Sequence, residues 1–277
     1  MCGRYAATKH QGDLVEELEV ELDATGQPTR SVMAHAQHPP PGDPDWNLAP
    51  TKQAPVALTR APRGTEDPPV RQLRLVTWGL VPSWAKDVKV GNRMINARAD
   101  SVLEKPAFKR AAASRRCLVP ADGWYEWQVS PTEVDAKGKP RKQPFYTHRA
   151  DGRLLAFAGL YEFWRDKKVE DPDDPRAWLT SFTIITTDAE PGLDRIHDRQ
   201  PLVLERDDWA AWLDPGTDSD QVAALLAFEQ PGRFDAYPIG TEVNNTRNNG
   251  PDLLLPLGKD ELHGVVDLVT GEVVGAR

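Results

Sequence analysis

Apolar and polar residues alternate in short runs along most of the chain, a pattern that predicts β-strands. SFTIITT, at 181–187, has the apolar character of a buried strand, and CLVPADGWYEWQ, at 117–128, is typical of two strand pieces around an Asp-Gly turn. PFYTHR and LLAFAGLYEFW predict a hairpin joined across Asp151 and Gly152. DAYPIG and HGVVDLVTGEVV predict late strands.

Helical periodicity is confined to short segments. The pattern predicts one amphipathic helix over about 11–22 and another over 105–116, where Pro106 suits a first turn. DDWAAWL and SDQVAALLAFEQ predict two more short helices. Because strands outnumber helices and do not alternate with them, we expect an α+β fold with a mostly antiparallel sheet flanked by short helices.

Four polar segments rich in Pro, Gly or charged residues interrupt this pattern, near 24–45, 61–69, 129–143 and 166–178. We interpret them as surface loop insertions. No internal repeat is visible, and no linker separates two periodic blocks. We therefore expect residues 1–277 to form a single compact domain.

Composition narrows the class of protein. The chain has 277 residues, of which 39% are hydrophobic, enough for one sizeable core. No apolar run approaches the roughly 18 residues that a membrane span needs, and the first residues lack the apolar segment of a secretion signal. Two cysteines cannot form a disulfide framework, so we expect a reducing, cytoplasmic location. We also expect no membrane association and a monomer.

The charge is uneven. A net charge of -8 argues against a general nucleic-acid coat, which is usually basic. Residues 86–116, however, carry nine basic and three acidic side chains. This stripe predicts either a short track for phosphates or a solvated helix face.

Cys2 is the residue with the most distinctive chemistry. Removal of Met1 would leave it with a free α-amine beside its own thiol. The amine condenses with an aldehyde to an imine, and the thiol then closes a five-membered thiazolidine on the same carbon. Because an α-amine has a reference pKa of about 7.7–8.0, a useful fraction is neutral at pH 7. Cys117, in the apolar context CLVP, is interpreted as a buried structural thiol.

Ten segments resemble, in order, the SOS-response-associated peptidase family, also called abasic-site processing proteins. The resemblance runs from residue 1 to about 254, and it departs from the family pattern at Asp100 and Gln200, where Glu and Met are usual. The segments are MCGRYA, WNLAPTK, WGLVPSWAKD, INARADSV, KPAFKRAAASRRCLVPADGWYEW, PFYTHR, FAGLYEFW, FTIITTDA, IHDRQPLVL and VNNTRNNGPDLL.

The resemblance implies a function and a fold. Members of this family bind single-stranded DNA, cross-link to abasic sites through the terminal cysteine, need no metal or cofactor, and have a curved, barrel-like sheet. We therefore expect a cytoplasmic DNA-damage protein that joins the nucleoid when bound to damaged DNA. The family name also implies limited self-cleavage after Met1.

The same resemblance assigns roles to individual residues. Cys2 is the nucleophile, Asn96 hydrogen-bonds the adduct, Glu126 is the acid near the amine and the sugar, and His197 is the acid/base near the ring-opened sugar oxygen. The DNA-binding candidates are Arg4, Arg98, Trp78, Leu80, Val81, Pro82 and Trp84, with Pro50 and Thr187 as second-rank contacts.

Structural alternatives stay open for each residue on its own. Asn96 can be a turn or cap residue, Glu126 a surface residue of an alternating strand, and His197 a simple loop histidine. Trp78 and Trp84 can stack on bases or belong to the core. Cys2 can be incidental.

Four other functions compete with covalent capture. A glutamine amidotransferase also begins Met-Cys-Gly, but such domains usually feed an attached synthetase. A protease is a second alternative, because the family name reflects a proposed self-cleavage that exposes Cys2. A metal site has only the His35–His38 spacing in its favour. A non-covalent DNA-binding module would form no adduct at all.

Overall fold

The computed structural model describes residues 2–27, 29–62, 64–171, 173–227 and 231–275. Within these ranges the chain is dominated by strands, with α-helices of five to eight residues and short 3-10 helices. No helix in the described part of the chain is long and apolar enough to cross a membrane.

The strands are β1 (Tyr5–Ala7), β2 (Leu22–Asp23), β3 (Asp45–Leu48), β4 (Gln53–Arg60), β5 (Val70–Trp78), β6 (Asn96–Arg98), β7 (Arg116–Ala121), β8 (Gly123–Val134), β9 (Pro140–Arg149), β10 (Leu155–Arg165), β11 (Trp178–Asp188), β12 (Arg199–Pro201), β13 (Phe234–Pro238), β14 (Val265–Val266) and β15 (Val273–Val274). The α-helices are α1 (Gln11–Glu17), α2 (Lys109–Ser114), α3 (Trp209–Leu213) and α4 (Ser219–Leu226). The 3-10 helices are Val88–Arg93, Pro175–Ala177, Leu193–Arg195, Arg206–Asp208, Thr241–Asn244, Pro251–Leu254 and Lys259–Glu261.

Five strands close a barrel in the order β11, β10, β7, β4, β5. Neighbouring strands are antiparallel except at the closure, where β5 and β11 run parallel with Ser181 opposite Thr77. Gly159 allows close packing within the barrel, since a Cβ there would lie 2.9 Å from the Cys117 sulfur. The expectation of an α+β fold with a barrel-like, mostly antiparallel sheet is confirmed.

The alternation of side chains divides the core between the two faces of this barrel. Cys117 and Val119 belong to the inner cluster with Phe157, whereas Leu118 belongs to an outer cluster with Trp212 of α3. A second sheet, in the order β13, β9, β8, β1, β3, adds its own apolar residues to the inner cluster. The short helices thus cover one side of the barrel, and the second sheet covers another.

The predicted helices are shorter than the periodicity suggested. The segment 11–22 is helical only as α1, because Glu19 turns the chain at φ 53° and the amide of Glu21 then donates a hydrogen bond to the Arg71 carbonyl of β5. Over 105–116 only α2 is α-helical, and Arg116 already begins β7. In both segments, pairing with a strand of the sheet overrides the helix propensity of the last residues. The predicted helix at 219–230 appears as α4, with 228–230 outside the described residues.

The predicted hairpin between PFYTHR and LLAFAGLYEFW is wrong. Gly152, at φ 71°, does turn the chain, but β9 pairs with β8 and β13, whereas β10 pairs with β7 and β11. The predicted loop at 129–143 is also wrong over most of its length. Strands β8 and β9 extend into it, and β8 is bound there by a hydrogen bond of 2.6 Å from the Ser130 hydroxyl to the Gly264 carbonyl.

Candidate functional site

Cys2 lies fully buried where the barrel meets the second sheet. Its side chain belongs to the inner core cluster together with Tyr5 and Trp78. Burial raises the pKa of the Cys2 thiol well above its usual range, and the nearby Glu126 carboxylate raises it further. The thiol is therefore protonated at neutral pH, so thiolate attack is not the natural first step for this residue.

Asn96 contacts Cys2 directly. Strand β6 pairs in parallel with β11, with Asn96 opposite Ile184, and this pairing holds the amide beside the start of the chain. The Asn96 side-chain nitrogen donates a hydrogen bond of 2.8 Å to the Cys2 carbonyl. The Asn96 side-chain oxygen is buried and has no hydrogen-bond partner within the described ranges. An unsatisfied buried acceptor costs about 1–3 kcal/mol, so this oxygen is suited to accept from a bound group.

Glu126 approaches Cys2 from β8. The residue is only 5% exposed, opposite Phe145 of β9. Burial raises the pKa of its carboxyl group, so the protonated form persists to a higher pH than for an ordinary glutamate. A carboxyl group with a raised pKa is suited both to give and to take a proton.

His197 follows the 3-10 helix Leu193–Arg195, and its side chain is 32% exposed. Its Nδ1 accepts a hydrogen bond of 3.1 Å from the Arg199 amide and lies 2.7 Å from the Asp198 carboxylate. Partial burial lowers the pKa of the imidazole, although Asp198 opposes this shift. The neutral imidazole is thus favoured at pH 7, in a form that can accept a proton.

Glu126 and His197 line one open cleft of about 540 Å³, together with Trp127, Lys142 and Asn244. The sequence did not single out the last three residues. Trp127 and Asn244 lie within two of the matching segments, GWYEW and VNNTRNN. Their position at the cleft, however, depends on a contact between residues that are far apart in the sequence. The Trp127 indole donates a hydrogen bond of 2.7 Å to the Asn244 side-chain oxygen. Lys142 is an exposed residue of β9 with no sequence signal of its own.

Arg4 is held by the protein on several sides. It donates to the Asn47 side-chain oxygen at 2.6 Å and to the Val243 carbonyl at 2.9 Å, and its guanidinium lies 6.0 Å from the Trp127 ring centre. Burial lowers its pKa from the usual arginine value. Arg98, in contrast, is exposed and bonded at 3.1 Å to the Asp100 carboxylate.

The apolar DNA-binding candidates separate into two groups. Trp78, Leu80 and Val81 are at most 1% exposed, and the Trp78 indole donates to the Ile95 carbonyl at 2.9 Å. Base stacking on Trp78 is therefore corrected to a core role, because its ring lies between Tyr5 and Phe182. Pro82 is buried, Pro50 and Thr187 are half-buried, and Trp84 is 62% exposed.

Metal-ligating side chains are not clustered in the part of the chain that the structure describes. No group of three or more His, Cys, Asp or Glu residues there is placed to hold a metal ion.

The fold and the site together define an α+β barrel protein whose candidate site is built around a cysteine at the second position, with Asn, Glu and His beside it. The chain belongs to the SOS response associated peptidase (SRAP) family, whose model matches residues 1–246.

Relatives of known name are similar over most of the chain. Abasic site processing protein YoqW of Bacillus subtilis (strain 168) is 34% identical over 257 residues, which are 92% of this chain and 99% of that protein. Abasic site processing protein HMCES of Rattus norvegicus is 31% identical over 286 residues, covering 92% of this chain and 76% of that protein.

Solved structures agree with the fold. A protein from Bacteroides thetaiotaomicron aligns with a TM-score of 0.68 and 22% identity, over 92% of this chain and all of that one. A phage-related protein from Bordetella bronchiseptica aligns with a TM-score of 0.58 and 29% identity, over 87% of this chain and 95% of that one.

Proposed function

We propose that this protein processes abasic sites in DNA, the role printed in the names of its relatives, and that it does so by linking Cys2 to the lesion in single-stranded DNA. The observation that carries the proposal is the hydrogen bond from the Asn96 side-chain nitrogen to the Cys2 carbonyl. The oxygen of the same side-chain amide is buried and has no hydrogen-bond partner among the described residues. A hydrogen-bond acceptor beside the chain start is suited to orient an amine or its adduct.

The α-amine of Cys2, freed by removal of Met1, makes the first attack. An abasic deoxyribose is mostly a closed hemiacetal, and its open form carries an aldehyde. The amine nitrogen bonds to the aldehyde carbon, and the resulting carbinolamine loses water to give an imine. The raised pKa of the thiol assigns this step to nitrogen rather than to sulfur.

Glu126 and His197 move the protons of this step. As the hemiacetal opens, neutral His197 takes the proton of the hydroxyl group on the aldehyde carbon. It then gives a proton to the ring oxygen, which becomes the sugar hydroxyl of the open form. Glu126, with its raised pKa, takes a proton from the attacking amine and delivers it to the departing hydroxyl as water. Both groups border the same cleft, which gives a sugar access to them.

Ring closure completes the adduct. The Cys2 sulfur bonds to the imine carbon, the carbon–nitrogen double bond becomes a single bond, and the thiol proton goes to nitrogen, directly or through Glu126. The thiazolidine thus forms from the aminothiol and the aldehyde with net loss of one water. We expect slow reversal through the same two residues, because their proton transfers run in either direction.

Trp84 is the best-placed stacking residue of the DNA interface. Its ring is exposed four residues before the basic 3-10 helix Val88–Arg93, and aromatic rings stack on bases without regard to sequence. Such sequence tolerance suits a lesion that has no base to read. Arg98, exposed on β6 two residues after Asn96, is a candidate for phosphate contact.

A cross-linking assay tests the proposal. The full chain, with Met1 removal verified by mass, is incubated with a labelled single strand that contains one abasic site, and the adduct is separated on a denaturing gel. We expect Cys2→Ala to give no stable adduct, because its terminal amine can form only an imine that hydrolyses on the denaturing gel, and Asn96→Ala to slow adduct formation at least about tenfold. Cys117→Ala is the matched control, since it removes the other buried thiol and leaves the rate unchanged. An adduct formed by Cys2→Ala at the normal rate contradicts the proposal.

A further inference from the structure

A second cavity, separate from the cleft lined by Glu126 and His197, opens near the other end of the barrel. It has a volume of about 440 Å³, within the range of roughly 300–1,000 Å³ typical of small-molecule sites. Its walls come from β4, β5, β10 and β11 and from the segments that contain Thr29 and Asp173. On β11, Thr180 lines this cavity four residues before Ile184, the partner of Asn96, a separation of about 13 Å at strand spacing.

Arg60 and Arg74 give this cavity a positive wall. Both are half-buried and line the cavity from adjacent strands. The Arg60 guanidinium makes no ion pair within the described residues, and the hydrogen bond it donates there, of 3.3 Å, goes to the carbonyl of its neighbour Ala61. Arg74 donates at 3.1 Å to the Gln72 side-chain oxygen, among its contacts. The acidic residue of the lining, Asp173, is exposed, so solvent screens its charge more than the charges of the arginines.

The field of these arginines reaches into the barrel. Tyr161 lies just inside, 5.6 Å from the ring centre of Phe163. Burial raises the pKa of Tyr161 to about 12, and Arg60 and Arg74 are among the cations that oppose this rise. The positive charge of Arg60 and Arg74 thus stabilises negative charge at this end of the barrel, although burial outweighs that effect at Tyr161 itself.

Aromatic rings accompany the arginines. The Arg60 guanidinium lies 4.8 Å from the ring centre of Phe163, and the half-buried Trp178 contributes a second aromatic surface. A guanidinium that packs on a ring is held in place and can offer its outer face or its N–H groups to a ligand. The Thr29 hydroxyl also belongs to a residue of the lining, and it is buried without a hydrogen-bond partner among the described residues.

We infer that this cavity, which we call the Arg60 pocket, binds a small anion that carries a planar ring, of the size of a nucleoside monophosphate. The phosphate binds to the guanidinium groups of Arg60 and Arg74, the ring stacks on Trp178 or Arg60, and Thr29 forms a hydrogen bond with the ligand. The inference is independent of the proposed DNA chemistry, because none of these residues lines the cleft of Glu126 and His197.

Titration calorimetry of the full chain tests the Arg60 pocket with three probes: AMP, adenosine and inorganic phosphate. We expect saturable binding of AMP at one site, and binding about tenfold or more weaker for adenosine and for phosphate. Absence of saturation by AMP up to about 10 mM overturns the inference. Equal affinity for phosphate and AMP overturns ring recognition, and equal affinity for adenosine and AMP overturns anion recognition.

Variants locate the site. Arg60→Gln is expected to weaken AMP binding about tenfold through loss of a charge-assisted contact, and Trp178→Leu to weaken it through loss of stacking while both arginines remain. Arg153→Gln, an exposed arginine paired with Asp151, is the matched control and leaves binding within about twofold. Unchanged AMP binding in both test variants, each shown to be folded by circular dichroism, contradicts the assignment. Cross-linking through Cys2 is expected to be unchanged in Arg60→Gln, so the two proposals fail separately.

Discussion

The ion pair of Lys52 and Asp45 is buried beside the segment that carries Cys2. The Lys52 ammonium lies 2.6 Å from the Asp45 carboxylate, and the two side chains are 7% and 3% exposed. Asp45 also accepts a hydrogen bond of 2.9 Å from the amide of Asn47, whose side chain holds Arg4. We expect Lys52→Met to destabilise the whole protein, because methionine preserves most of the side-chain volume but removes the charge.

The size of the expected destabilisation follows from the state in which Lys52→Met leaves Asp45. The Asp45 carboxylate stays buried with an amide hydrogen bond but without its cation. Loss of one partner of a buried pair costs about 3–5 kcal/mol in the free energy of unfolding. For a chain of this size, about 2 °C of Tm corresponds to each kcal/mol, so the expected decrease is roughly 6–10 °C. Asp45→Asn added to Lys52→Met removes the stranded charge and is expected to restore at least about 2 kcal/mol.

Urea denaturation at pH 7 of the wild type, both single variants and the double variant measures this coupling. Lys9→Met is the matched control, because the Lys9–Glu17 pair is 3.4 Å apart and partly exposed, and such a pair contributes about 1 kcal/mol or less. If Lys52→Met costs less than about 1 kcal/mol, or if the double variant is as unstable as the sum of the singles, the reasoning about this pair is refuted.

Three further predictions concern single side chains. Glu126→Gln is expected to slow adduct formation about 100-fold or more in rapid-quench kinetics. The same change should raise Tm at pH 7, because burial raises the pKa of Glu126 in the folded state and thus makes its ionised form destabilising. This gain in Tm should disappear below the unfolded-state pKa of about 4.3, where the glutamate is neutral in both states. A gain that persists at that pH contradicts a raised pKa for Glu126. Trp84→Ala is expected to weaken binding of an undamaged single strand by about 1–3 kcal/mol in fluorescence anisotropy, and an unchanged Kd removes Trp84 from the interface. Arg116→Met is expected to cost about 3 kcal/mol in urea denaturation, since the buried guanidinium donates to the carbonyls of Trp212, Ala112, Ala113 and Asp214, and a cost below about 1 kcal/mol contradicts that role.

The sequence predicted the family and the fold class correctly, and the comparison of Trp78 with Trp84 shows where such prediction ends. Both tryptophans belong to one segment, WGLVPSWAKD, and both have the same stacking chemistry. One is buried between aromatic residues distant in sequence and the other is exposed. Neighbouring residues do not encode that difference, because burial depends on strands brought together by the barrel.

The errors in secondary structure have the same origin. The turn at Asp151 and Gly152 was predicted from local chemistry and is present, with the Gly152 amide bonded to the Arg149 carbonyl. The pairing partners of the flanking strands could not be predicted from local sequence, since β9 pairs with β13 and β10 pairs with β7, both distant in the chain. Two further points stay predictions. One is that residues 1–277 form a single domain, and the other is the set of roles given to Cys2, Asn96, Glu126 and His197.

The covalent bond at Cys2 is the central claim, and peptide mass spectrometry tests it most directly. The protein is incubated with a single strand that carries one abasic site, treated with borohydride or left untreated, alkylated under denaturing conditions and digested. The account predicts that the lesion is on the peptide that begins with Cys2, that its sulfur resists alkylation, and that borohydride leaves its mass unchanged, as a thiazolidine requires. A cross-linked peptide that retains Met1, or one whose Cys2 sulfur is alkylated, contradicts the account.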